Sequence, residues 1–355
     1  MSTIISPRRQ TRQVKIGSVP IGGDAPVSIQ SMTNTRADDV ATTLAQIGRL
    51  AKLGCEIIRV AVPGAETLAA LPEILAGSPL PIVADIHFDH RLAIGAAEAG
   101  VHALRINPGN IGGAERTREV AAAAAERGIP IRIGVNAGSL EKDILERDGH
   151  PTAAGLAESA MRGVELMDGC GVTDLIVSIK ASDVAVTVEA NRLFAAKTDI
   201  PLHVGITEAG TPAAGAARSG VGLGLLLADG IGDTVRVSLA GPPEEEIPVA
   251  RAILSSLRLG HGGVTVIACP TCGRTEIDVP GVAAEVEAAL AGVRTSLVVA
   301  VMGCVVNGPG EAREADVGVA GGGTEAVLFR KGEVVDRIPA DQLVTRLLDE
   351  ARKLV

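Results

Sequence analysis

The stretch "PIVADIHFDHRLAIGAAEAGVHALRINPG", residues 81–109, decides the fold class. It starts with a short run rich in β-branched residues, 81–87, passes through an alanine-rich helical segment, 89–99, and ends in a second such run, 102–109. Two parallel strands need a crossover of a dozen or more residues between them, usually a helix. The stretch therefore predicts one strand–helix–strand unit with polar residues at the ends of both strands.

The same pattern recurs along the first 260 or so residues. We predict strands at 26–33, 56–63, 81–87, 102–109, 130–139, 174–182, 201–210 and 233–241. The helices that follow them are predicted at 38–53, 65–76, 89–99, 113–127, 152–168, 183–196, 212–228 and 243–258. Eight strand–helix units in this length predict an α/β fold of the closed (β/α)8 TIM-barrel type. No predicted strand leads into the G-x-G-x-x-G turn of a dinucleotide-binding fold.

Two further segments complete the predicted organisation. A hairpin at 14–27 precedes the first barrel strand and is expected to plug the bottom of the barrel. After a short linker the alternation stops, which divides the chain into a barrel domain, 1–260, and a small α+β domain, 264–355. The elements expected in this second domain are a strand at 263–268, a helix at 281–291, a strand at 295–302, a hairpin at 326–338 and a final helix at 341–353.

Composition excludes several classes of protein. The 355 residues carry a net charge of −9, and the only aromatic residues among Phe, Trp and Tyr are 3 phenylalanines, which argues against nucleic-acid binding. No apolar run approaches the ~18 residues that span a bilayer. The first residues, "MSTIISPRRQTRQVKIG", lack the apolar segment of a secretory signal. We therefore expect a cytoplasmic protein with neither a membrane nor a nucleic-acid partner.

Polar residues occupy the predicted C-terminal ends of the barrel strands, where TIM-barrel enzymes place their chemistry. Strand side chains alternate between two faces, so polar residues two or four apart point the same way, towards the barrel axis. The intervening residues are apolar and suit the face that packs against helices. The predicted substrate-binding set is Arg59, Asp85, His87, Arg105, Asn107, Arg132, Asn136, Ser178, Lys180, His203, Thr207, Arg236 and Ser238.

Five members of this set are cations, namely Arg59, Arg105, Arg132, Lys180 and Arg236. Buried like charges repel unless an anion compensates them, and arginine matches phosphate oxygens in bidentate geometry. We therefore expect a small-molecule substrate with more than one phosphate group. Asp85 and Glu208 are either salt-bridge partners of the arginines or acid–base groups, and the position of Glu208 at a strand end favours proton transfer.

Three cysteines lie in the second domain, in "VIACPTCGRTEI" (266–277) and "VMGCVVNGPGEA" (301–312). Cys269, Cys272 and Cys304 look like a metal site that lacks one ligand. A zinc ribbon needs a second cysteine pair, and a thioredoxin-like redox pair needs a βαβ context that is absent here. An iron–sulfur cluster fits better, because its cysteines bind three irons and leave one position for another ligand.

The fourth ligand is not decided by spacing. Glu311 follows the "NGPG" turn and is the nearest candidate, but spacing alone favours an exposed carboxylate. The other two cysteines, Cys55 and Cys170, precede predicted strands at the bottom of the barrel, where we expect them to be buried apolar residues.

Nine motifs together resemble the 4-hydroxy-3-methylbut-2-enyl diphosphate synthase family over nearly the whole chain. They are "IQSMTNT" (29–35), "ADIHF" (84–88), "LRINPGNIG" (104–112), "RIGVNAGSL" (132–140), "VSIKASD" (177–183), "HVGITEAG" (203–210), "RVSLAG" (236–241), "CPTCGR" (269–274) and "MGCVVNGPGE" (302–311).

The resemblance implies a 4Fe–4S cluster held by Cys269, Cys272, Cys304 and Glu311. It also implies that 2-C-methyl-D-erythritol 2,4-cyclodiphosphate is opened reductively and dehydrated, with Glu208 in proton transfer. Reduced ferredoxin or flavodoxin is the implied electron donor. The implied assembly is a homodimer in which the cluster domain of one subunit closes over the partner barrel. The alternative is a non-redox phosphosugar lyase or pterin-type transferase on the same barrel, with zinc in a structural tail.

Overall fold

In this computed structural model the described residues are 5–259, 262–293, 295–306, 310 and 312–355. They divide into two units, Met1–Leu259 and Gly260–Val355. The fold class predicted from the sequence is confirmed: a TIM barrel is followed by a small domain of sheet and helix.

Eight parallel strands form the barrel of the first unit. They are β3 (Ser28–Met32), β4 (Ile57–Ala61), β5 (Ile82–Asp85), β6 (Ala103–Ile106), β7 (Ile131–Asn136), β8 (Leu175–Lys180), β9 (His203–Val204) and β10 (Thr234–Val235). Each strand from β3 to β7 pairs with the next along the chain, and β10 pairs with both β9 and β3. A parallel bridge between Val177 and Leu202 joins β8 to the segment leading into β9 and so completes the ring.

Nine helices belong to the described part of this unit. They are α1 (Val40–Leu53), α2 (Ala65–Gly77), α3 (His90–Glu98), α4 (Ala114–Ala125), α5 (Lys142–Asp148), α6 (Ala153–Asp168), α7 (Val184–Ala195), α8 (Pro212–Ala228) and α9 (Glu246–Ser256). Asp39, Asp89 and Asp183 cap α1, α3 and α7, because each carboxylate accepts a hydrogen bond from a backbone N–H of the first turn. The sequence prediction missed α5, a two-turn helix between β7 and α6.

Side-chain alternation places two separate sets of residues on the two faces of the barrel wall. The outward residues between the predicted polar pairs are buried against the helices; they are Ile106, Ile133, Val135, Ile179 and Val237. At the N-terminal ends of the strands, inward residues such as Ile57, Val83 and Ile176 pack against a hairpin of β1 (Val14–Ile16) and β2 (Val19–Ile21). The hairpin thus closes the bottom of the barrel with apolar side chains.

The last two barrel strands are much shorter than the sequence predicts. The strands span His203–Val204 and Thr234–Val235, with one isolated bridge at Leu202, whereas strands were predicted over 201–210 and 233–241. The chain turns at Thr207 and Glu208, so the polar residues beyond the paired segment lie on loops. The β-like composition of these stretches reflects burial at the barrel rim and not ladder pairing.

The second unit contains one mixed sheet. Its strands are β11 (Val264–Ala268), β12 (Leu297–Met302), β13 (Val317–Gly322), β14 (Glu325–Arg330) and β15 (Glu333–Pro339), paired in that order. The first three strands are parallel, and β14 and β15 return antiparallel. Two helices, α10 (Val279–Ala289) and α11 (Leu343–Arg352), share a hydrophobic core with the sheet. The prediction missed β13, whose sequence "VGVAGG" has the glycines of a turn.

The two cysteines of the first unit, both expected to be buried, differ in their burial. Cys55 is buried as expected, and burial raises the pKa of its thiol to about 12. Cys170 is only half-buried: it packs against the edge of the barrel core, and its thiol donates to the carbonyl of Leu166 near the end of α6. None of the described helices combines the length and the apolar character needed to cross a bilayer.

Candidate active site

Asp85 lies between two arginines at the end of β5. Its Oδ1 accepts from Nη1 of Arg105 at 3.0 Å, and its Oδ2 lies 3.4 Å from Nε of Arg59. Burial acts to raise the pKa of Asp85, but the charge of Arg59, the imidazole of His87 and the charge of Arg105 together hold it well below its usual range. Asp85 is therefore an ionised counter-charge for two arginines, the salt-bridge role that the sequence left open.

Arg105 is fixed from several sides. Nη2 donates to the carbonyl of Gly134 at 3.4 Å and, with the amide of Asn136 oriented to accept, to that side chain at 3.1 Å. A Cβ at Gly134 would lie 2.2 Å from Nε of Arg105, so the glycine makes room for the guanidinium. Nε2 of His87 lies 3.1 Å from Nη1 of Arg105, and His87 is half exposed at the rim.

Arg132 and Arg59 have partners on β3, which the sequence did not single out. Nη1 of Arg132 donates to the amide oxygen of Gln30 across the barrel. Nε and Nη2 of Arg59 lie 3.1 and 3.0 Å from the thioether sulfur of Met32. Nε and Nη2 of Arg132 are buried and have no hydrogen-bond partner among the described residues. Two nitrogens of this arginine thus remain without a protein acceptor in the described chain.

Arg236 has a carboxylate of its own. Nε and Nη2 face the two oxygens of Glu246 at 3.3 Å each, a bidentate pair at the start of α9. Its remaining terminal nitrogen, Nη1, lies 3.7 Å from the sulfur of Met32, which places Arg236 beside Arg59. Glu246 is only 4% exposed and was not predicted as a site residue.

Lys180 and His203 lie deeper in the same basic region. Burial, followed by the charges of Arg132 and Arg59, lowers the pKa of Lys180 well below its usual value. Burial, followed by the charges of Lys180 and Arg132, likewise lowers the pKa of His203, so its imidazole is neutral. Both ring nitrogens of His203 are buried without a hydrogen-bond partner in the described chain. A Cβ at Gly205 would lie 2.3 Å from the backbone carbonyl oxygen of Arg236 and 3.1 Å from Nζ of Lys180, so this glycine allows both to come close.

The five predicted cations act electrostatically on one another, so the structure brings them into one region. Burial lowers the pKa of Arg59 to about 10, and the charges of Arg236 and Arg105 add to that effect against the opposing charge of Asp85. The pKa of Arg132 is also lowered well below its usual value, first by burial and then by the charges of Arg59 and Arg105. Four arginines and a lysine face two buried carboxylates here. An anion with several oxygens would restore the charge balance.

The remaining predicted residues differ in how they are held. Ser178 is buried and donates to the carbonyl of Ile133 at 3.3 Å. The amide oxygen of Asn107 accepts from the backbone N–H of Gly109 at 3.0 Å, so Asn107 shapes the loop after β6. Thr207 and Ser238 are half-buried residues of the loops after β9 and β10. Their hydroxyls lie at the barrel rim and not on a strand.

Glu208 is exposed on the loop after β9 and has a left-handed backbone, with φ of 51°. This conformation is uncommon for a residue other than glycine and marks places where the surroundings impose it. The loop is held on both sides, because Arg218 donates to the carbonyl of Ala209 and the N–H of Ala240 donates to the carbonyl of Gly210, each at 2.9 Å. The backbone thus presents the Glu208 carboxylate at the rim at a conformational cost.

The three predicted cysteine ligands lie on two neighbouring loops of the second unit. Cys269 directly follows β11 and Cys304 follows β12, and these strands are parallel neighbours, so both loops leave the same edge of the sheet. Two backbone hydrogen bonds join the loops: the N–H of Cys269 donates to Val301 at 3.0 Å, and the N–H of Glu276 donates to Gly303 at 2.8 Å. Cys272 is exposed, Cys269 half-buried and Cys304 buried.

The three thiols are not grouped closely enough in the structure to form a metal site. Within the described ranges, no three or more His, Cys, Asp or Glu side chains are grouped closely enough to hold a metal ion. The fourth predicted ligand, Glu311, lies outside the described residues. The soft thiol donors and the shared sheet edge fit an iron–sulfur group, and the thiols would have to converge to bind it.

Two family models match the chain, one to each unit. The GcpE TIM-barrel domain matches residues 11–251, and the GcpE protein C-terminal domain matches residues 265–353. The chain belongs to the GcpE family.

Curated relatives are similar in sequence to this GcpE-family chain over nearly its full length. A Geobacter sulfurreducens protein is 54% identical over 98% of this chain and 99% of its own length. An Aquifex aeolicus protein is also 54% identical, over 98% of this chain and 97% of its own length. Both relatives are named 4-hydroxy-3-methylbut-2-en-1-yl diphosphate synthase (flavodoxin).

Solved structures support the barrel fold alone. The 3-dehydroquinate dehydratase of Geobacillus kaustophilus aligns with a TM-score of 0.51 at 17% identity, over 71% of this chain and 98% of its own. The sialic acid synthetase of Leptospira borgpetersenii aligns with a TM-score of 0.50 at 13% identity, over 70% of this chain and 89% of its own. At such identities the likeness says nothing about the reaction.

Three residues that contact the arginines were not among the site residues predicted from the sequence. Gln30 and Met32 sit two apart on β3, and their alternation is a signal that could have placed them with the other inward residues. Glu246 carries no comparable signal, because an acidic residue in the first turn of a helix is common for reasons of helix stability.

Proposed function

We propose that this chain is a 4-hydroxy-3-methylbut-2-en-1-yl diphosphate synthase. It would open 2-C-methyl-D-erythritol 2,4-cyclodiphosphate reductively, with loss of water, in the synthesis of isoprenoid precursors. The observation that carries the proposal is the largely buried group of five cations at the mouth of a GcpE-family barrel, where described carboxylates balance only part of the charge.

The cation group supplies the affinity for the two phosphoryl groups of the substrate. Arg132 has two nitrogens without a protein partner among the described residues, and the amino group of Lys180 is buried beside it. Asp85 and Gln30 hold Arg105 and Arg132 in fixed orientations before any ligand arrives. A preorganised set of donors in a water-poor site stabilises the negative charge that develops on the diphosphate as the ring opens.

Residues of both units complete the proposed chemistry. A 4Fe–4S group held by Cys269, Cys272, Cys304 and Glu311 would pass on, one at a time, the two electrons that a reduced donor protein supplies. We assign Glu208 to proton transfer: its carboxyl group would give a proton to the hydroxyl oxygen that leaves as water. Thr207 and Ser238 at the rim, with His87, would orient the hydroxyl groups of the substrate. His203, neutral and buried, is suited to hydrogen bonding and not to charge compensation.

The partners and location follow from the same proposal. Flavodoxin is the electron donor we propose, because the curated relatives carry it in their names, and ferredoxin stays an alternative prediction. We further propose a homodimer in which the cluster domain of one subunit closes over the barrel of its partner. A cytoplasmic location keeps the three thiols reduced for iron binding.

Anaerobic purification and turnover test the proposal together. The protein is expected to be brown, to contain about four irons and four sulfides per chain, and to convert the cyclodiphosphate to the linear diphosphate with reduced flavodoxin. Glu208→Gln is expected to keep its iron content and its affinity for the substrate but to lose turnover. A colourless protein with one zinc and no reductive turnover would instead support the lyase or transferase alternative. Normal turnover by Glu208→Gln would remove Glu208 from proton transfer.

A further inference from the structure

We infer that Glu246 is a positioning residue, which orients Arg236 so that this arginine can bind the phosphate oxygens of the substrate. The inference rests on the proposed function and adds to it a residue outside the barrel strands. No sequence motif singled out Glu246, and its role follows from contacts that exist only in the folded chain.

The surroundings of Glu246 fix its carboxylate tightly. Oε2 accepts from the hydroxyl of Ser31 at 2.9 Å, and Oε1 accepts from the backbone N–H of Leu239 at 3.3 Å. Both oxygens also face Arg236. Glu246 is the first residue of α9, where the helix dipole stabilises a negative charge. The carboxylate is thereby tied to β3, to the loop after β10 and to a helix, and it cannot follow Arg236 if that side chain moves.

The bidentate pair leaves one edge of Arg236 for a ligand. Nε and Nη2 are turned towards Glu246, so Nη1 is the nitrogen directed at Met32 and the neighbouring Arg59. Asp85 likewise pairs with Arg59 and accepts a hydrogen bond from Arg105, and the amide oxygen of Gln30 accepts one from Arg132. Each arginine of the group thus has a side-chain acceptor, shared in the case of Arg59 and Arg105, and Glu246 is the acceptor of Arg236.

A positioning role and a charge role predict opposite effects of Glu246→Gln on anion binding. If Glu246 only lowered the positive charge of the pocket, its neutralisation would tighten the binding of an anion. If Glu246 orients Arg236, the substitution releases the guanidinium of Arg236. That side chain must then lose rotamer freedom when the anion binds, so the affinity for the anion is expected to fall about tenfold. Glu246→Asp keeps the charge but withdraws the carboxylate by one methylene, so it is expected to weaken binding in the same direction.

The test is a double-mutant cycle on the anaerobically prepared full-length protein, with inorganic pyrophosphate as the probe in titration calorimetry. Arg236→Gln is expected to weaken pyrophosphate binding, and Glu246→Gln added to Arg236→Gln is expected to change it no further. Glu244→Gln is the matched control, because Glu244 lies two residues away and pairs with the exposed Arg49 at 2.9 Å. This control is expected to bind like the unmodified protein.

Three outcomes would overturn the inference: tighter binding by Glu246→Gln, full additivity of the two substitutions, or an equal loss in Glu244→Gln. If Glu246→Gln fails to fold, as seen in its thermal unfolding, Glu246→Asp with Arg236→Gln forms the same cycle. Pyrophosphate affinity is measured without turnover, so failure of the reductase assignment would appear as absent turnover while the cycle still reports on Glu246.

Discussion

Replacing Asp85 by asparagine is expected to destabilise the barrel and to make its stability depend on bound anions. Asp85 is 3% exposed and contacts Arg105 at 3.0 Å and Arg59 at 3.4 Å. Removing one partner of a buried ion pair costs about 3–5 kcal/mol, because a buried charge is left uncompensated. Asparagine keeps the size of the side chain and can accept one hydrogen bond, so the lower end, about 3 kcal/mol, is expected.

The measurement is thermal unfolding of the full-length protein with and without pyrophosphate. A loss of about 3 kcal/mol corresponds to a fall of roughly 6–12 °C in Tm for a domain of this size. Saturating pyrophosphate supplies the missing negative charge, so it is expected to raise the Tm of Asp85→Asn more than that of the unmodified protein. The control is Asp89→Asn, which removes an exposed pair with Arg91 while asparagine still caps α3.

The same carboxylate predicts the direction of a pH effect. The folded pKa of Asp85 is depressed, so its ionisation stabilises the fold above the unfolded value of about 3.9 and this contribution is lost as pH falls further. The gap in stability between the unmodified protein and Asp85→Asn is therefore expected to be constant near neutral pH and to shrink below about pH 4. A Tm of Asp85→Asn equal to that of Asp89→Asn, with the same response to pyrophosphate, would refute the reasoning.

Three further changes test other parts of the site. Pyrophosphate binding is expected to take up protons, because a bound anion opposes the lowering of the Lys180 pKa; calorimetry in buffers of different ionisation enthalpy, repeated over a range of pH, measures the uptake, and Lys180→Met should lose it. Gly134→Ala is expected to raise the KM for the cyclodiphosphate about tenfold, because its Cβ would displace the Arg105 guanidinium. Cys304→Ser is expected to lower the iron content after anaerobic reconstitution, measured per chain, with the barrel still folded.

Matched variants separate these effects from general damage. Gly138→Ala should leave KM unchanged, since a Cβ there meets nothing within 4 Å. Cys170→Ser should leave the iron content unchanged, since Cys170 lies in the barrel unit. Proton uptake that persists in Lys180→Met, an unchanged KM in Gly134→Ala or full iron retention in Cys304→Ser would each contradict the corresponding assignment.

The sequence by itself determined the fold and the chemical character of the site. Eight repeats of strand and helix specify the barrel, and the period-two alternation of polar and apolar residues along its strands places the arginines on the inner face. These signals are local, because each depends only on the spacing of residues within one element. The motifs around the three cysteines and the barrel residues likewise carry the resemblance to the synthase family, and the family models agree with it.

Only the tertiary structure decided which groups neutralise and orient the cations. Gln30 contacts Arg132 although the two residues are 102 positions apart in the sequence. Glu246 contacts Arg236 because α9 packs beside β3. The depth of His203 and the left-handed backbone of Glu208 depend on where β9 stops pairing. The physical reason is that electrostatic partners are set by distance in space, which the closure of the barrel creates, whereas periodicity along one strand records only the face on which a residue lies.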